Sequence, residues 1–356
     1  MAYLLLNNGA VFEGERIGAA GDSVGELVFT TGMTGYLETL TDPSYAGQII
    51  VQTFPLIGNY GVIEEDFEGE PAAAGYVVRE ICGEPSNFRS GYALDEILKR
   101  KNIPGICGVD TRELTRILRD EGVMNAAICD VLPSETSFIG KYRVENAVGR
   151  VSGKKAETYL PEGEAKYSVA LIDYGAKKNI VRSLLRRGCK VTVVPYDTPA
   201  EAILERDPDG IMLSNGPGDP AENVYCIEQI KKLIGRKPVF GICLGHQLAA
   251  LAMGGRTVKL KFGHRGVNQP VKELGTDRTY ITSQNHGYAV VTESLGDTAR
   301  LSFVNMNDGS CEGLEYKDKD CFTVQFHPEA CAGPNDTAFL FDRFISMMGG
   351  KKLAEG

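Results

Sequence analysis

The chain has 356 residues, 43% of them hydrophobic and 24% charged, an ordinary balance for a globular protein of two or three domains. With 38 Lys and Arg against 47 Asp and Glu, its net charge is −9. That balance argues against nucleic acid or a membrane surface as partner, because both call for a basic face. No apolar run approaches the about 18 residues of a membrane span. The start, Met-Ala-Tyr-Leu-Leu-Leu-Asn-Asn, lacks the regions of a signal peptide, so a cytoplasmic location is expected. Nine cysteines with no Cys-x-x-Cys pair make neither a disulfide framework nor a zinc ribbon. Most should be reduced, buried, small hydrophobes.

The first 150 residues read as strands with a few helices. Tyr3–Leu6, Ala10–Phe12 and Gly25–Thr30 are short apolar runs, with Asn7-Asn8-Gly9 as a turn between the first two. Gln48–Phe54 and Gly75–Ile81 continue the pattern. Helices are expected over Leu94–Lys101 and Thr111–Asp120. The second has Asp110 as N-cap, Glu113 in capping-box position and Gly122 as its stop. This pattern predicts a compact, strand-rich α+β domain over 1–150.

Residues 151–166 are polar and carry Gly and Pro, a linker composition. From 167 to 356 the pattern alternates. Strands are expected at Ser168–Asp173, Lys190–Pro195, Gly210–Ser214 and Pro238–Gly241. Helices are expected between and after them at Ala176–Arg187, Ala200–Glu205, Glu222–Ile234 and Leu244–Met253. Strand–helix alternation implies a largely parallel sheet covered on both faces. Short strands follow at Arg256–Leu260, Thr279–Thr282, Ala289–Thr292, Arg300–Phe303, Gly313–Tyr316 and Phe322–Phe326. A last helix is expected near Thr337–Met347.

The strongest chemical signal is Phe240-Gly241-Ile242-Cys243-Leu244-Gly245-His246-Gln247. A buried strand enters, an apolar helix leaves, and glycines bracket Cys243 two residues to either side. This is the spacing of a nucleophile elbow, where a sharp turn exposes the nucleophile and only small neighbours avoid a clash. Free N–H groups at a helix N-terminus favour a thiolate and can receive an oxyanion. A thiolate nucleophile needs a base. Among His246, His264, His286 and His327, the last stands at the end of the apolar strand Phe322–Phe326, followed by Pro328 and Glu329. Sites form at the C-terminal edge of parallel strands, so Cys243 and His327 can share one edge, with Glu329 orienting the imidazole. His246 is a rival base, but its helical position should turn its ring away from the elbow. His264 and His286 read as structural or substrate-adjacent hydrogen bonders. Cys243 and His246 have no second ligand pair at a zinc-site spacing, so no metal is expected. Ser214-Asn215-Gly216-Pro217-Gly218-Asp219-Pro220 follows a strand and can bring backbone N–H groups close to a ligand. It is not a P-loop, and no other segment is one.

Taken in order, Gly-Ile-Cys-Leu-Gly-His-Gln, Ser-Asn-Gly-Pro-Gly-Asp-Pro and Gln-Phe-His-Pro-Glu resemble the class I (triad) glutamine amidotransferases. The likeness extends to the small chain of carbamoyl-phosphate synthase. It is carried by Phe29–Tyr36, Leu40–Tyr45, Ile57–Gly61, His264–Pro270 and Ser283–Tyr288. The resemblance implies a flavodoxin-like amidotransferase domain behind the α+β domain. Cys243 would attack the side-chain amide of L-glutamine, with His327 as acid and base and Glu329 orienting it. Backbone N–H groups of Leu244 and of the Gly216–Gly218 loop would hold the oxyanion. Gln247, Asn285, Gly287 and Tyr288 would hold glutamine, and Ser44 would reach in from the N-terminal domain.

The product would be ammonia, which loses its nucleophilicity when protonated in water, and the chain shows no site that uses it. The resemblance therefore implies a large-subunit partner, in a heterodimer or a higher oligomer of it. That subunit would use bicarbonate and ATP with Mg²⁺ to make carbamoyl phosphate for arginine and pyrimidine synthesis; this chain would carry no cofactor. Three rival readings stand beside it. One is the glutaminase of another synthase, although such a chain would be a lone domain of about 200 residues. The second is a γ-glutamyl peptide hydrolase, and the third a non-catalytic scaffold, which would be free to lose the Cys-His-Glu set.

Overall fold

The computed structural model describes residues 1–350, and the chain divides into two compact units, Met1–Ala147 and the residues from Val148 onward. In the first unit the strands are β1 (Ala2–Leu6), β2 (Val11–Gly18), β3 (Ser23–Thr30), β4 (Gln48–Gln52), β5 (Leu56–Ile57), β6 (Gly75–Val77), β7 (Glu80–Ile81), β8 (Pro104–Cys107) and β9 (Met124–Cys129). Seven of them close into a barrel in the order β1-β2-β8-β6-β4-β3-β9, while β5 and β7 pair separately. Closure leaves no barrel edge to attract another strand. The core of this unit holds Val28, Ile50, Tyr76, Leu94 and Ile97, all 1% exposed or less.

The expected helices are present at Leu94–Arg100 and Thr111–Glu121. The Asp110 carboxylate accepts the N–H groups of Arg112 and Glu113 at 3.0 and 2.9 Å, and Gly122, at φ 99°, ends the second helix. The run Gly75–Ile81 is divided between β6 and β7, which belong to different sheets. Strands β8 and β9 carry no apolar–polar alternation because both faces are covered.

The second unit contains β10 (Glu157–Tyr159), β11 (Tyr167–Asp173), β12 (Cys189–Pro195), β13 (Gly210–Leu213), β14 (Val239–Ile242), β15 (Arg256–Glu273), β16 (Thr279–Val291), β17 (Ala299–Asn305), β18 (Cys311–Tyr316) and β19 (Cys321–Val324). They form one mixed sheet in the order β10-β12-β11-β13-β14-β19-β18-β17-β15-β16. The stretch from β12 to β19 is parallel. Helices Lys178–Leu185, Val224–Leu233, Leu244–Ala252 and Phe339–Met348 cover it. Successive strand residues point to opposite faces. Accordingly Ala170 and Ile172 pack with Leu213 and Leu248 on one side, and Val169 and Leu171 pack with Met212, Phe240 and Phe341 on the other.

Two sequence expectations change here. The segment 151–166, a linker by composition, contains β10, which pairs antiparallel with β12 through Glu157↔Val193 and Tyr159↔Val191. All three residues of β10 are exposed, so no apolar pattern marks it. The short strands around 256–260, 279–282 and 289–292 are parts of the long hairpin β15–β16. Its polar residues His264, Arg265, Gln284 and His286 are buried. Partner side chains and carbonyls meet many of their polar atoms, so the strands run on through them.

Candidate active site

Strand β14 delivers the chain to Cys243, and the helix Leu244–Ala252 begins at the next residue. Cys243 itself has φ 52° and ψ −101°, a conformation that costs an L residue of order 1–3 kcal/mol and survives only where the surroundings enforce it. Its N–H donates to the Val324 carbonyl at 2.9 Å, and the Gly245 N–H donates to the Ser214 carbonyl at 3.0 Å. The bracketing glycines are steric requirements. A Cβ on Gly241 would lie 2.9 Å from Thr323 Cγ2, and one on Gly245 would lie 2.5 Å from the Leu213 carbonyl oxygen. The Leu244 N–H is the first of the helix and has no acceptor four residues back, so it remains available to a ligand. The Cys243 Sγ lies 3.7 Å from the Asn285 carbonyl oxygen.

The base arrives by strand pairing. β14 and β19 are parallel neighbours with Ile242 opposite Val324, so the residues following each strand emerge at the same edge. The side chains of His327 and Glu329 are fully buried, with Nδ1 2.6 Å from Glu329 Oε1. A carboxylate only accepts, so Nδ1 carries the proton. Nε2 is buried without a hydrogen-bond partner. Burial and the Lys177 ammonium pull the imidazole down. The Glu329 carboxylate and the Cys243 sulfur outweigh them and push it up to about 9. Burial raises Glu329, but His327 and Lys177 hold it below the usual carboxylate range. The set is a cysteine–imidazole–carboxylate arrangement, with His327 and Glu329 ion-paired, of the kind that serves nucleophilic acyl transfer.

Lys177 has no signal in the sequence. It lies 150 residues before His327, yet its Nζ sits 3.3 Å from His327 Nδ1 and 3.7 Å from Glu329 Oε1. Its backbone N–H donates to Asn215 Oδ1 at 3.0 Å, and Asn179 Nδ2 donates to the Glu329 carbonyl at 2.9 Å. The turn after β11 thereby ties the Asn215 loop to the His–Glu segment. Only the placement of that turn at the same sheet edge could have pointed to it.

The other expected residues divide into two groups. In the second unit, a Cβ on Gly216 would lie 2.8 Å from Leu244 Cδ2, so this loop backs directly onto the elbow, and Gly218 takes φ +90° further along it. Gln247 Nε2 donates to the Tyr288 carbonyl at 2.8 Å and to Gln325 Oε1 at 2.9 Å. Asn285, Gly287 and Tyr288 lie on β16. Cys243, His327, Glu329, Gly216, Leu244, Gln247 and Asn285 thus converge on one edge. Ser44 belongs to the first unit, where it is buried in the short helical turn Pro43–Tyr45 and its N–H donates to Asp42 Oδ1 at 2.9 Å.

The rival base is accounted for. His246 is buried with Nδ1 2.8 Å from Thr323 Oγ1, and burial lowers it to about 3, so it is a neutral core histidine. Cys129, Cys189, Cys226, Cys311 and Cys321 are buried like small hydrophobes, while Cys331 is exposed. Burial pushes Cys189 up to about 11 and Cys226 and Cys311 up to about 12.

Comparison with known proteins accords with the geometry. The family profile Glutamine amidotransferase class-I matches residues 170–347, and Carbamoyl-phosphate synthase small chain, CPSase domain, matches residues 4–128. The carbamoyl phosphate synthase small chain of Clostridium perfringens is 51% identical over 350 residues, covering 97% of this chain and 98% of the relative. That of Listeria monocytogenes is 51% identical over 358 residues, with 99% and 98% covered. That of Fusobacterium nucleatum is 51% identical over 348 residues, with 96% of both chains covered. No helix among the described residues is long and apolar enough to cross a membrane. With both profiles in register and half of all residues shared along nearly the full length, the chain belongs to the carbamoyl phosphate synthase small-chain family.

Proposed function

We propose that this chain is the glutamine-hydrolysing subunit of a carbamoyl phosphate synthase, with Cys243, His327 and Glu329 as its catalytic residues. The observation that carries the assignment is the buried His327, held by Glu329 at Nδ1 and raised by the Cys243 sulfur, just past the strand that pairs with the one leading into the strained Cys243. Cys243 Sγ attacks the side-chain amide carbon of L-glutamine, and the carbonyl electron pair moves onto oxygen. The N–H groups of Leu244 and of the Gly216–Gly218 loop stabilise that oxyanion. His327 donates its proton to the departing nitrogen, the C–N bond breaks, and ammonia leaves a γ-glutamyl thioester. Water then attacks the thioester and gives a proton to His327. The C–S bond breaks, and glutamate is released with the thiolate restored.

Gln247, Asn285, Gly287 and Tyr288 hold the glutamine. The hydrolysis uses no cofactor. ATP and Mg²⁺ belong to the large subunit, which pairs with this chain in the assembly and consumes the ammonia. The test is Cys243→Ser in the reconstituted complex. Glutamine-dependent carbamoyl phosphate synthesis is lost while ammonia-dependent synthesis continues. Retained glutamine-dependent synthesis overturns the nucleophile.

A further inference from the structure

Behind the glutamine-holding segment of β16, three ligand-type side chains meet from three strands. His264 comes from β15, His286 from β16 and Glu312 from β18; one donor atom of each lies within 4.8 Å of the others. All three are buried, at 8%, 5% and 0% exposure. Each imidazole is tied off on its outer side. His264 Nε2 lies 2.9 Å from Asp308 Oδ2, and His286 Nδ1 lies 2.7 Å from the Tyr288 carbonyl oxygen. Both partners only accept, so those nitrogens carry protons and His264 Nδ1 and His286 Nε2 are the atoms that face inward. Against burial, Glu312 and Asp308 raise His264, while burial lowers His286. A histidine oriented by a carboxylate or a carbonyl in this way is the outer-shell arrangement of metal-binding histidines.

Among the inner atoms, Glu312 Oε1 accepts from Asn305 Nδ2 at 3.0 Å. His264 Nδ1 has no hydrogen-bond partner and sits 3.5 Å from Glu312 Oε1. That separation is close to the about 3.4 Å that two donors span around a tetrahedral ion with bonds of about 2.0–2.1 Å. His286 Nε2 faces Gln284 Oε1 at 3.2 Å, one acceptor against another. Turning the Gln284 amide over relieves that contact, but its oxygen then meets Glu312 Oε2 at 3.0 Å, again acceptor against acceptor. Neither amide orientation satisfies every atom.

We infer that His264, His286 and Glu312 form a binding site for one divalent transition-metal ion of the zinc class, with the Gln284 side-chain oxygen placed as a further ligand. Two imidazoles and a carboxylate are ligands such an ion accepts. The site is distinct from the hydrolytic residues: none of its three ligands is Cys243, His327 or Glu329. The absence of a metal expected from the sequence rested on the surroundings of Cys243 and His246. This cluster is assembled across three strands and has no spacing to read.

The experiment uses the full chain, stripped with chelator and dialysed against Zn²⁺, with bound metal counted per chain. One Zn²⁺ per chain is expected. Co²⁺ in its place is expected to show tetrahedral d–d absorption without the charge-transfer band of a thiolate ligand. His264→Gln should abolish binding. Asp308→Asn alters only the outer partner on the more exposed rim and should weaken binding about tenfold or more while the fold is kept. Failure to retain Zn²⁺ overturns the proposal. Undiminished retention in both variants, or thiolate charge transfer with Co²⁺, also overturns it by placing the ion elsewhere.

Discussion

Replacing Glu329 by Gln keeps the volume of a buried side chain and removes the charge that faces His327. In the native site the carboxylate oxygen is 2.6 Å from Nδ1 and fixes the tautomer that leaves Nε2 open. A glutamine amide can present its NH₂ group instead, which makes Nδ1 an acceptor and removes the charge that stabilises the imidazolium. Lys177, 3.3 Å from Nδ1, also keeps its charge once the Glu329 carboxylate beside it is gone. The size of the effect follows from the same contacts. His327 stands at about 9 against an ordinary 6.5, although burial and Lys177 both lower it. That gap is worth about 3 kcal/mol in favour of the imidazolium. The Glu329 carboxylate and the Cys243 sulfur sustain it. Losing this order of stabilisation in a transition state that carries an imidazolium reduces the rate about 100- to 1000-fold. The assay is glutamate release by the complex at saturating glutamine, beside ammonia-dependent synthesis as a control for assembly. A Glu329→Gln variant within tenfold of the parent rate refutes the orienting role.

Other outcomes follow from neighbouring contacts. Gly245→Ala puts a Cβ 2.5 Å from the Leu213 carbonyl oxygen; the elbow must shift, with a stability loss of about 1–3 kcal/mol and a larger fractional loss of glutaminase rate, read by urea unfolding and glutamate release. Lys177→Met removes a cation that lowers His327, so the alkaline limb of glutamine-dependent kcat/KM moves to higher pH; a shift to lower pH contradicts the contact. The raised His327 also contributes to stability. That contribution is fully present below about pH 6.5 and is lost as pH rises through about 9. Unfolding free energy should therefore fall by about 3 kcal/mol across that window, and the fall should be absent from His327→Gln; equal slopes in the two proteins refute the linkage.

Local chemistry was the legible part of the sequence. Asp110 and Gly122 bound their helix because a cap is a short-range hydrogen bond and a positive φ is a one-residue demand. The Gly-x-Cys-x-Gly bracket was legible for the same reason: both glycines answer to backbone within reach of the turn itself. Pairing between distant segments was not. Strand β9, Met-Asn-Ala-Ala-Ile-Cys, is covered on both faces and shows no alternation. The strand expected to end at Leu260 runs on to Glu273 through the polar run His264–Gly266, because partners arrive from β16 and β18. Lys177 reaches the His–Glu pair only through the placing of the turn after β11.

The central position of β19 has a consequence for how the molecule comes into being. It is the last strand of its sheet in chain order, yet it lies between β14 and β18. Until residues 321–324 insert, β14 has an open side and the Cys243 N–H lacks the Val324 carbonyl that pins it. A chain still emerging from the ribosome therefore holds its thiol in an unfinished turn, with neither imidazole nor carboxylate beside it. The catalytic set is completed only when the interior of the sheet is closed. A half-made chain then releases no ammonia.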